Sequence, residues 1–261
     1  IGNIMSILNT TLESMLAQEK HLTGLQWDAH QSLFRLSQAS WSNSSAESGS
    51  IFLPAQEELS DSIVSELNTI KQLDIVAPSV LTENPDMIAL YFGSAQGTTL
   101  YYPNVELASI LPPDFDVTQR PWFLAATVKN DEREIKWSAP YQDAALNGLV
   151  VTCSLPVYDN KDHFRGVIAA DLQLTKISAL ISSISIAQSG YAFLIDGEGR
   201  IIVMPESGYS DLGLDPADFQ GEQALEPIFK KVPLNIFQIL SRMTTRQSGM
   251  RSVELNGVEK Y

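Results

Sequence analysis

The sequence predicts an α+β protein in which a long N-terminal helix is followed by two small antiparallel sheets, the second of them incomplete. Three observations carry this. Apolar residues recur at three- and four-residue steps early in the chain. The middle then switches to short apolar and aromatic runs separated by turn residues, and that switch repeats near residue 188.

The first rhythm is Ile4, Leu8, Leu12, Met15, Leu22, Leu25, Ala29, Leu33 and Leu36, with no proline and one glycine, Gly24. A helix running to about residue 40 would be roughly 60 Å long, the length of a stalk rather than of a compact domain. A break into two helices near Gly24 is the alternative, since an interior glycine costs on the order of 1 kcal/mol. Ser42 to Ser50 is a polar, turn-rich break, after which Pro54 opens a second helix with Leu59, Ile63, Leu67 and Ile70 on one face.

Strands begin at Met87 to Gly93 and, after the turn Ser94-Ala95-Gln96-Gly97, continue at Thr98 to Tyr102 as a hairpin. A loop entering a helix at Pro121 follows, then strands at Glu134 to Trp137, Leu149 to Leu155 and Phe164 to Leu172, five strands in all. Leu174, Ile177, Leu180 and Ile181 mark a helix. Tyr191 to Ile195, the turn Asp196-Gly197-Glu198-Gly199, and Arg200 to Met204 form a second hairpin, because Asp-Gly between apolar runs is a strong hairpin signal. Residues 222 to 246 read as helical, and Met250 to Leu255 as a strand whose partners lie beyond the chain's end. The organisation is thus residues 1–85 as helical spine and second helix, 86–173 as a first sheet, and 174–261 as linker helix and truncated second sheet.

Composition narrows the function. A formal charge of −14 argues against nucleic acid or an anionic membrane surface as partner, because phosphate binding needs clustered Lys and Arg. No run of 18 apolar residues is present, so these residues predict no membrane span. The abrupt start at Ile1 suggests a piece of something longer. The single cysteine, Cys153, lies in an apolar run and reads as a buried strand residue, and alone it makes neither an internal disulfide nor a cysteine-based metal site. His21, His30 and His163 have no metal-ligand spacing, and no phosphate loop, dinucleotide fingerprint or nucleophile elbow appears, so catalysis, metal and cofactor are not expected.

The most informative run is Phe115-Asp116-Val117-Thr118-Gln119-Arg120-Pro121-Trp122-Phe123, which sets a guanidinium and an indole N–H two residues apart. Tyr141-Gln142-Asp143 and Asp171, within the strand Phe164 to Leu172, add a phenol and two carboxylates. One cation, two carboxylates and several rings suit a small molecule carrying both an anionic and a cationic group. Plainer readings stand beside this one. Arg120 could pair with Asp116 or Asp143 to fix the loop, and Trp122, Phe123 and Tyr141 could be core aromatics, as Trp137 is expected to be. Asp171 could cap the following helix, and Tyr91, Tyr101 and Tyr102 could line a pocket or pack the sheet. Asp143 and Asp171 could also be an acid/base pair.

Asp116-x-x-x-Arg120-Pro121-Trp122-Phe123, Trp137 to Asp143, Thr152 to Asp159, Gly166 to Asp171 and Gly190 to Asp196, in that order, resemble the double Cache sensor domains. These are extracytoplasmic ligand-binding domains of bacterial and archaeal chemoreceptors, sensor kinases, cyclases and phosphatases. The resemblance covers the whole chain. It implies a long helix carrying two PAS-like sheets, membrane-distal and membrane-proximal, with the ligand in the distal one. It further implies membrane attachment through segments outside this chain and a homodimeric full receptor. Carried over residue by residue, it places an α-carboxylate at Arg120 and Trp122 and an α-ammonium at Tyr141, Asp143 and Asp171, with Phe115 and Phe123 at two further motif positions; Tyr101 is added as a candidate lining residue from its place in the hairpin. Phe115 and Phe123 stand where that motif has tyrosines, so two hydroxyls are missing. A cationic amine, a purine, a carboxylate or a ligand-free dimerisation module are the alternatives to an amino acid.

Overall fold

The computed structural model describes residues 2–18, 27–37, 40–128, 130–186, 190–219, 227–245, 249–250, 252–255 and 258–260. The chain divides into two compact units, Ile1–Gln173 and Leu174–Tyr261.

In the first unit, helix α1 (Gly2–Gln18) buries Met5, Leu8, Leu12 and Leu16; Leu8 and Leu12 belong to the expected stripe, whereas Met5 is fully buried and the expected Ile4 only partly so. The helix spans about 26 Å rather than 60. The expected continuation to residue 40 does not occur. Residues 27–28 are not helical, and Asp28, in extended conformation, accepts a hydrogen bond from the His30 backbone N–H, starting a fresh single turn, α2 (Ala29–Ser32). Strands β1 (Phe34–Arg35) and β2 (Trp41–Ser42) then pair. Ala29 and Leu33 are buried as their spacing demands, but on a short turn and its extended exit, so the apolar rhythm outlives the helix. Gly24 and its neighbours 19–26 lie outside the described residues.

After β3 (Ser50–Phe52), α3 (Asp61–Ile70) begins seven residues later than Pro54. Its start is fixed by Ser60, whose hydroxyl accepts from the Ile63 N–H. A further helix, α4 (Leu73–Glu83), was not foreseen, because Pro78 inside it reads as a breaker. The hairpin β4 (Met87–Ser94) and β5 (Thr99–Tyr102) forms as expected. It is followed by α5 (Leu107–Ile110), a 3-10 turn at Val117–Gln119, α6 (Pro121–Thr127), β6 (Lys136–Trp137), β7 (Tyr141–Gln142), β8 (Leu149–Tyr158) and β9 (Phe164–Gln173). The sheet has seven strands rather than five, in the order β3-β5-β4-β9-β8-β6 with β7 also on β8. The expected strand at Glu134 is only the two residues of β6, and Trp137 is half exposed rather than in the core.

This sheet is buried on both faces, so its central strands are near-continuous apolar runs rather than alternating ones. Leu90, Phe92, Ile168 and Ala170 face α1, α3 and α4, in a core that includes Leu12, Leu67 and Ile70. Ala89, Tyr91, Val167 and Ala169 face the other way, towards α5 and α6. Cys153 belongs to the first core, and burial pushes its thiol up to about 11, leaving it protonated and unreactive.

The second unit opens with α7 (Leu174–Ser182) and the pair β10 (Ser185–Ile186) and β11 (Gly190–Tyr191). The expected hairpin is present as β12 (Leu194–Ile195) with β13 (Ile201–Val203), its turn held by Asp196, whose Oδ1 accepts from the N–H groups of Glu198 and Arg200. Then come α8 (Glu206–Leu212), a 3-10 turn at Ile228–Lys230, and α9 (Leu234–Thr244). The helix expected over 222–246 is therefore shorter. Residues 220–226 lie outside the described residues, and Pro233 holds the helix start back to Leu234. Strand β14 (Val253–Leu255) pairs with β15 (Val258–Lys260), so the strand expected to lack partners has one. Leu214, Phe219, Ile228, Ile236 and Leu240 form this unit's core.

Candidate ligand-binding site

The side of the first sheet that faces α5 and α6 does not close completely. A small cavity, about 360 Å³ with the open space at its mouth included, lies over β4 and β5. Its floor is the cross-strand pair Tyr91 and Tyr101, whose rings stack with centroids 5.2 Å apart. Tyr102, one residue on, points to the opposite face and packs on the first core.

Trp122 forms a wall. It sits in the first turn of α6, edge-on to Tyr91 at 4.9 Å, and the benzene edge of its ring comes close over Gly93, which has no side chain. A Cβ at Gly93 would stand 2.5 Å from Trp122 Cη2 and 2.9 Å from Val117 Cγ2. Gly93→Ala should therefore lower stability by about 1–3 kcal/mol, read by a thermal melt, and push Trp122 into the cavity. An unshifted melting curve would show that the wall can yield. Trp122 Nε1 has no hydrogen-bond partner among the described residues, so its N–H is available.

Arg120 is set by local chemistry. Asp116 caps the 3-10 turn by accepting from the Thr118 N–H and hydroxyl, which occupies it, and Arg120 ends that turn and precedes Pro121. The guanidinium donates to the Gln142 carbonyl at 3.2 Å and lies 5.5 Å and 5.7 Å from the Phe115 and Tyr141 ring centroids. It pairs with neither Asp116 nor Asp143, and makes no ion pair among the described residues.

Asp143 and Asp171 differ sharply. Asp143 shapes the loop after β7. Its Oδ1 accepts from the Ala145 N–H, and its Oδ2 from the Asn147 side chain at 2.7 Å, while that same amide donates to the Tyr101 hydroxyl. Asp171 is wholly buried within β9 and caps no helix. Its Oδ1 accepts from the Tyr91 and Thr152 hydroxyls, both at 2.6 Å, and Tyr141 in turn bonds Thr152 at 2.8 Å. Its Oδ2 is buried with no partner. Burial pushes the Asp171 carboxyl up to about 7; the Thr152 and Tyr91 hydrogen bonds and the Arg120 charge pull it down, and Asp143 pushes it up. Burial likewise raises Tyr91, Tyr101 and Tyr141, which stay neutral.

Of the eight residues singled out from sequence, Tyr101, Phe115, Arg120, Trp122, Tyr141 and Asp143 line the cavity. Phe123 does not. It packs behind Trp122 and against Phe164, as a core aromatic, so the hydroxyl it lacks is not one lost from the cavity surface. Asp171 lies beneath the lining, reaching it through Tyr91, Thr152 and Tyr141. Sequence reasoning left Tyr91 undecided and passed over Thr152. Their places follow from pairing, since Thr152 is opposite Asp171 on β8, and Tyr91 is two residues from Ala89, which is opposite it on β4. Among the described residues no His, Cys, Asp and Glu cluster could hold a metal ion.

The sequence profile of the Cache domain family matches residues 3–261. This chain belongs to the Cache domain family. Among curated relatives, the methyl-accepting chemotaxis protein PctB of Pseudomonas aeruginosa is 35% identical over 116 residues, covering 44% of this chain and 17% of that protein. McpC of Bacillus subtilis, another methyl-accepting chemotaxis protein, is 29% identical over 136 residues, covering 52% of this chain and 20% of that protein. The Cache domain chain thus spans about a fifth of the length of these relatives. Among solved structures, the ligand-binding domain of the amino acid chemoreceptor PctB in complex with L-Arg is 27% identical with a TM-score of 0.46, covering 69% of this chain and 64% of that one. No described helix of this Cache domain is long and apolar enough to cross a membrane.

Proposed function

We propose that the cavity binds the zwitterionic head of a small α-amino acid, and that this Cache domain chain is the extracytoplasmic sensing part of a membrane signalling receptor. In this reading residues 86–173 are the membrane-distal ligand-binding subdomain and 174–261 the membrane-proximal one. The receptor is anchored through segments outside this chain and works as a homodimer whose bistable signalling state the ligand biases.

One observation carries the assignment: the Arg120 guanidinium on the cavity lining has no carboxylate partner, and Asp171, buried beneath that lining, has an oxygen with none. A ligand carboxylate would take parallel N–H bonds from Arg120 and one from Trp122 Nε1. A ligand ammonium would be received by Tyr141, Asp143 and Asp171, with ring faces adding about 0.5–2 kcal/mol of cation–π attraction. The sequence relatives are chemotaxis proteins, which agrees with a sensing role. Binding without turnover is proposed.

A cationic amine lacking a carboxylate is the second reading, favoured by the excess of carboxylates, Asp143 on the lining and Asp171 beneath it, over the one guanidinium of Arg120. A thermal-shift panel separates the two. α-Amino acids should raise the melting temperature, since a ligand at 100 times its Kd adds about 2.7 kcal/mol. Amines without a carboxylate, and carboxylates without an amine, should not. A shift with amines alone selects the second reading; a shift with purines or simple carboxylates alone, or with nothing, overturns both. Recovery of the ligand unchanged after incubation tests the absence of turnover.

A further inference from the structure

Thr152 is wholly buried in β8, directly opposite Asp171 on β9. On the other side of the strand Ser138 holds its backbone, the Ser138 hydroxyl accepting from the Thr152 N–H and the Ser138 N–H donating to the Thr152 carbonyl. The Thr152 hydroxyl has one proton to give. The 2.6 Å bond to Asp171 Oδ1 takes it, because an ionised carboxylate only accepts. The 2.8 Å bond between Thr152 and Tyr141 therefore runs the other way, with Tyr141 donating. The Tyr91 hydroxyl does not interfere, since it gives its own proton to Asp171 at 2.6 Å and stands 3.5 Å from the Thr152 and Tyr141 oxygens. Tyr141, which lines the cavity, is left with lone pairs only.

We propose that Thr152 is a positioning residue for ligand recognition: it draws the Tyr141 proton away from the cavity, so that Tyr141 can only accept there and the site takes a hydrogen-bond donor, an ammonium, at this end. This role rests on the zwitterion reading above, and it lets the buried Asp171 act on a ligand that it need not touch. Each bond in the chain from Tyr141 through Thr152 to Asp171 polarises the next, which makes the Tyr141 oxygen a stronger acceptor than an isolated phenol. A ligand carboxylate, which also only accepts, would meet lone pairs at Tyr141 and go unpaired. Arg120 is then the end left to it, so the relay fixes the direction in which an amino acid lies.

Isothermal calorimetry with glycine and L-alanine at pH 8, where Asp171 is ionised, tests this on the unaltered protein, Thr152→Val, Thr152→Ser, Tyr141→Phe and the double variant of Thr152→Val with Tyr141→Phe. Thr152→Val and Tyr141→Phe should each weaken binding about tenfold. The double variant should be no weaker than Tyr141→Phe alone, because Thr152 acts through a hydroxyl that is already gone. Thr152→Ser, which keeps the donor, should bind as the unaltered protein does. Pyruvate, which sets an acceptor where L-alanine has its ammonium, should not displace L-alanine from the unaltered protein. A melting curve shows that each variant folds, and the pyruvate measurement needs no variant. Unchanged affinity in Thr152→Val, losses that multiply in the double variant, a loss in Thr152→Ser as large as in Thr152→Val, or displacement of L-alanine by pyruvate would overturn the role of Thr152 while leaving the zwitterion site standing. Binding of neither glycine nor L-alanine to the unaltered protein would sink the zwitterion reading and this role with it.

Discussion

Replacing Asp171 by asparagine should raise the melting temperature of the ligand-free protein at pH 8 and remove most of the pH dependence of its stability between pH 5 and 8. The sign follows from the direction of the shift. A carboxyl held at about 7 in the folded chain and near 3.8 when unfolded keeps its proton longer folded than unfolded. Stability is therefore undiminished by this group below about pH 4, declines as pH rises through the window between the two values, and is lowest above pH 7. The full difference is on the order of 4 kcal/mol, less the 1–3 kcal/mol that an amide N–H2 without a partner in the Oδ2 position would cost. Tyr91 and Thr152 can still donate to the remaining carbonyl oxygen. Parallel melting curves for both proteins across this range would show that Asp171 is not buried as a strained acid. The same substitution should remove binding of an ammonium ligand. In the unaltered protein affinity should weaken below pH 7, by up to tenfold per pH unit, because a protonated Asp171 cannot serve as counter-ion.

Arg120→Ala should separate binding from folding. Arg120 contributes one hydrogen bond to a carbonyl and no ion pair among the described residues, so the melting temperature of the ligand-free protein should move little. Amino-acid affinity should fall about 100-fold, because hydrogen bonds to a charged group are worth about 1.5–3 kcal/mol and this guanidinium would make them bidentate. Arg120→Lys should recover only part, a point charge being unable to reproduce the planar fork. Calorimetry with whichever amino acid responds in the melting panel provides the measurement. Unchanged affinity in Arg120→Ala would mean the carboxylate is held elsewhere, and the amine reading would gain.

Much of the first unit was legible because its signals are local. The β4–β5 hairpin, β8, β9 and the burial of Cys153 follow from runs of β-branched and aromatic residues bounded by turns. The errors have a common cause, which is that burial spacing does not specify backbone. Ala29 and Leu33 keep a helical interval without a continuous helix, and α4 tolerates Pro78 where the sequence advises a stop. β3 and β7, three and two residues long, carry too little pattern to stand out alone and exist through their pairing with β5 and β8. At the cavity, residue types identified Arg120 and Trp122, but separating lining from backing needed strand register. Phe123 and Trp122 are adjacent in sequence, yet only Trp122 reaches the cavity. Thr152 became visible only once β8 was set against β9.

The two-sided burial of the first sheet has a mechanical consequence. Tyr91, which anchors Asp171 and floors the cavity, is bonded on either side to Leu90 and Phe92, which belong to the core that holds α1. The cavity floor and the support of α1 share one strand, β4, a single backbone thick. Any displacement of Tyr91 by an incoming molecule is thus also a displacement of the bed on which the N-terminal helix rests, with no relay of intermediate side chains needed between them.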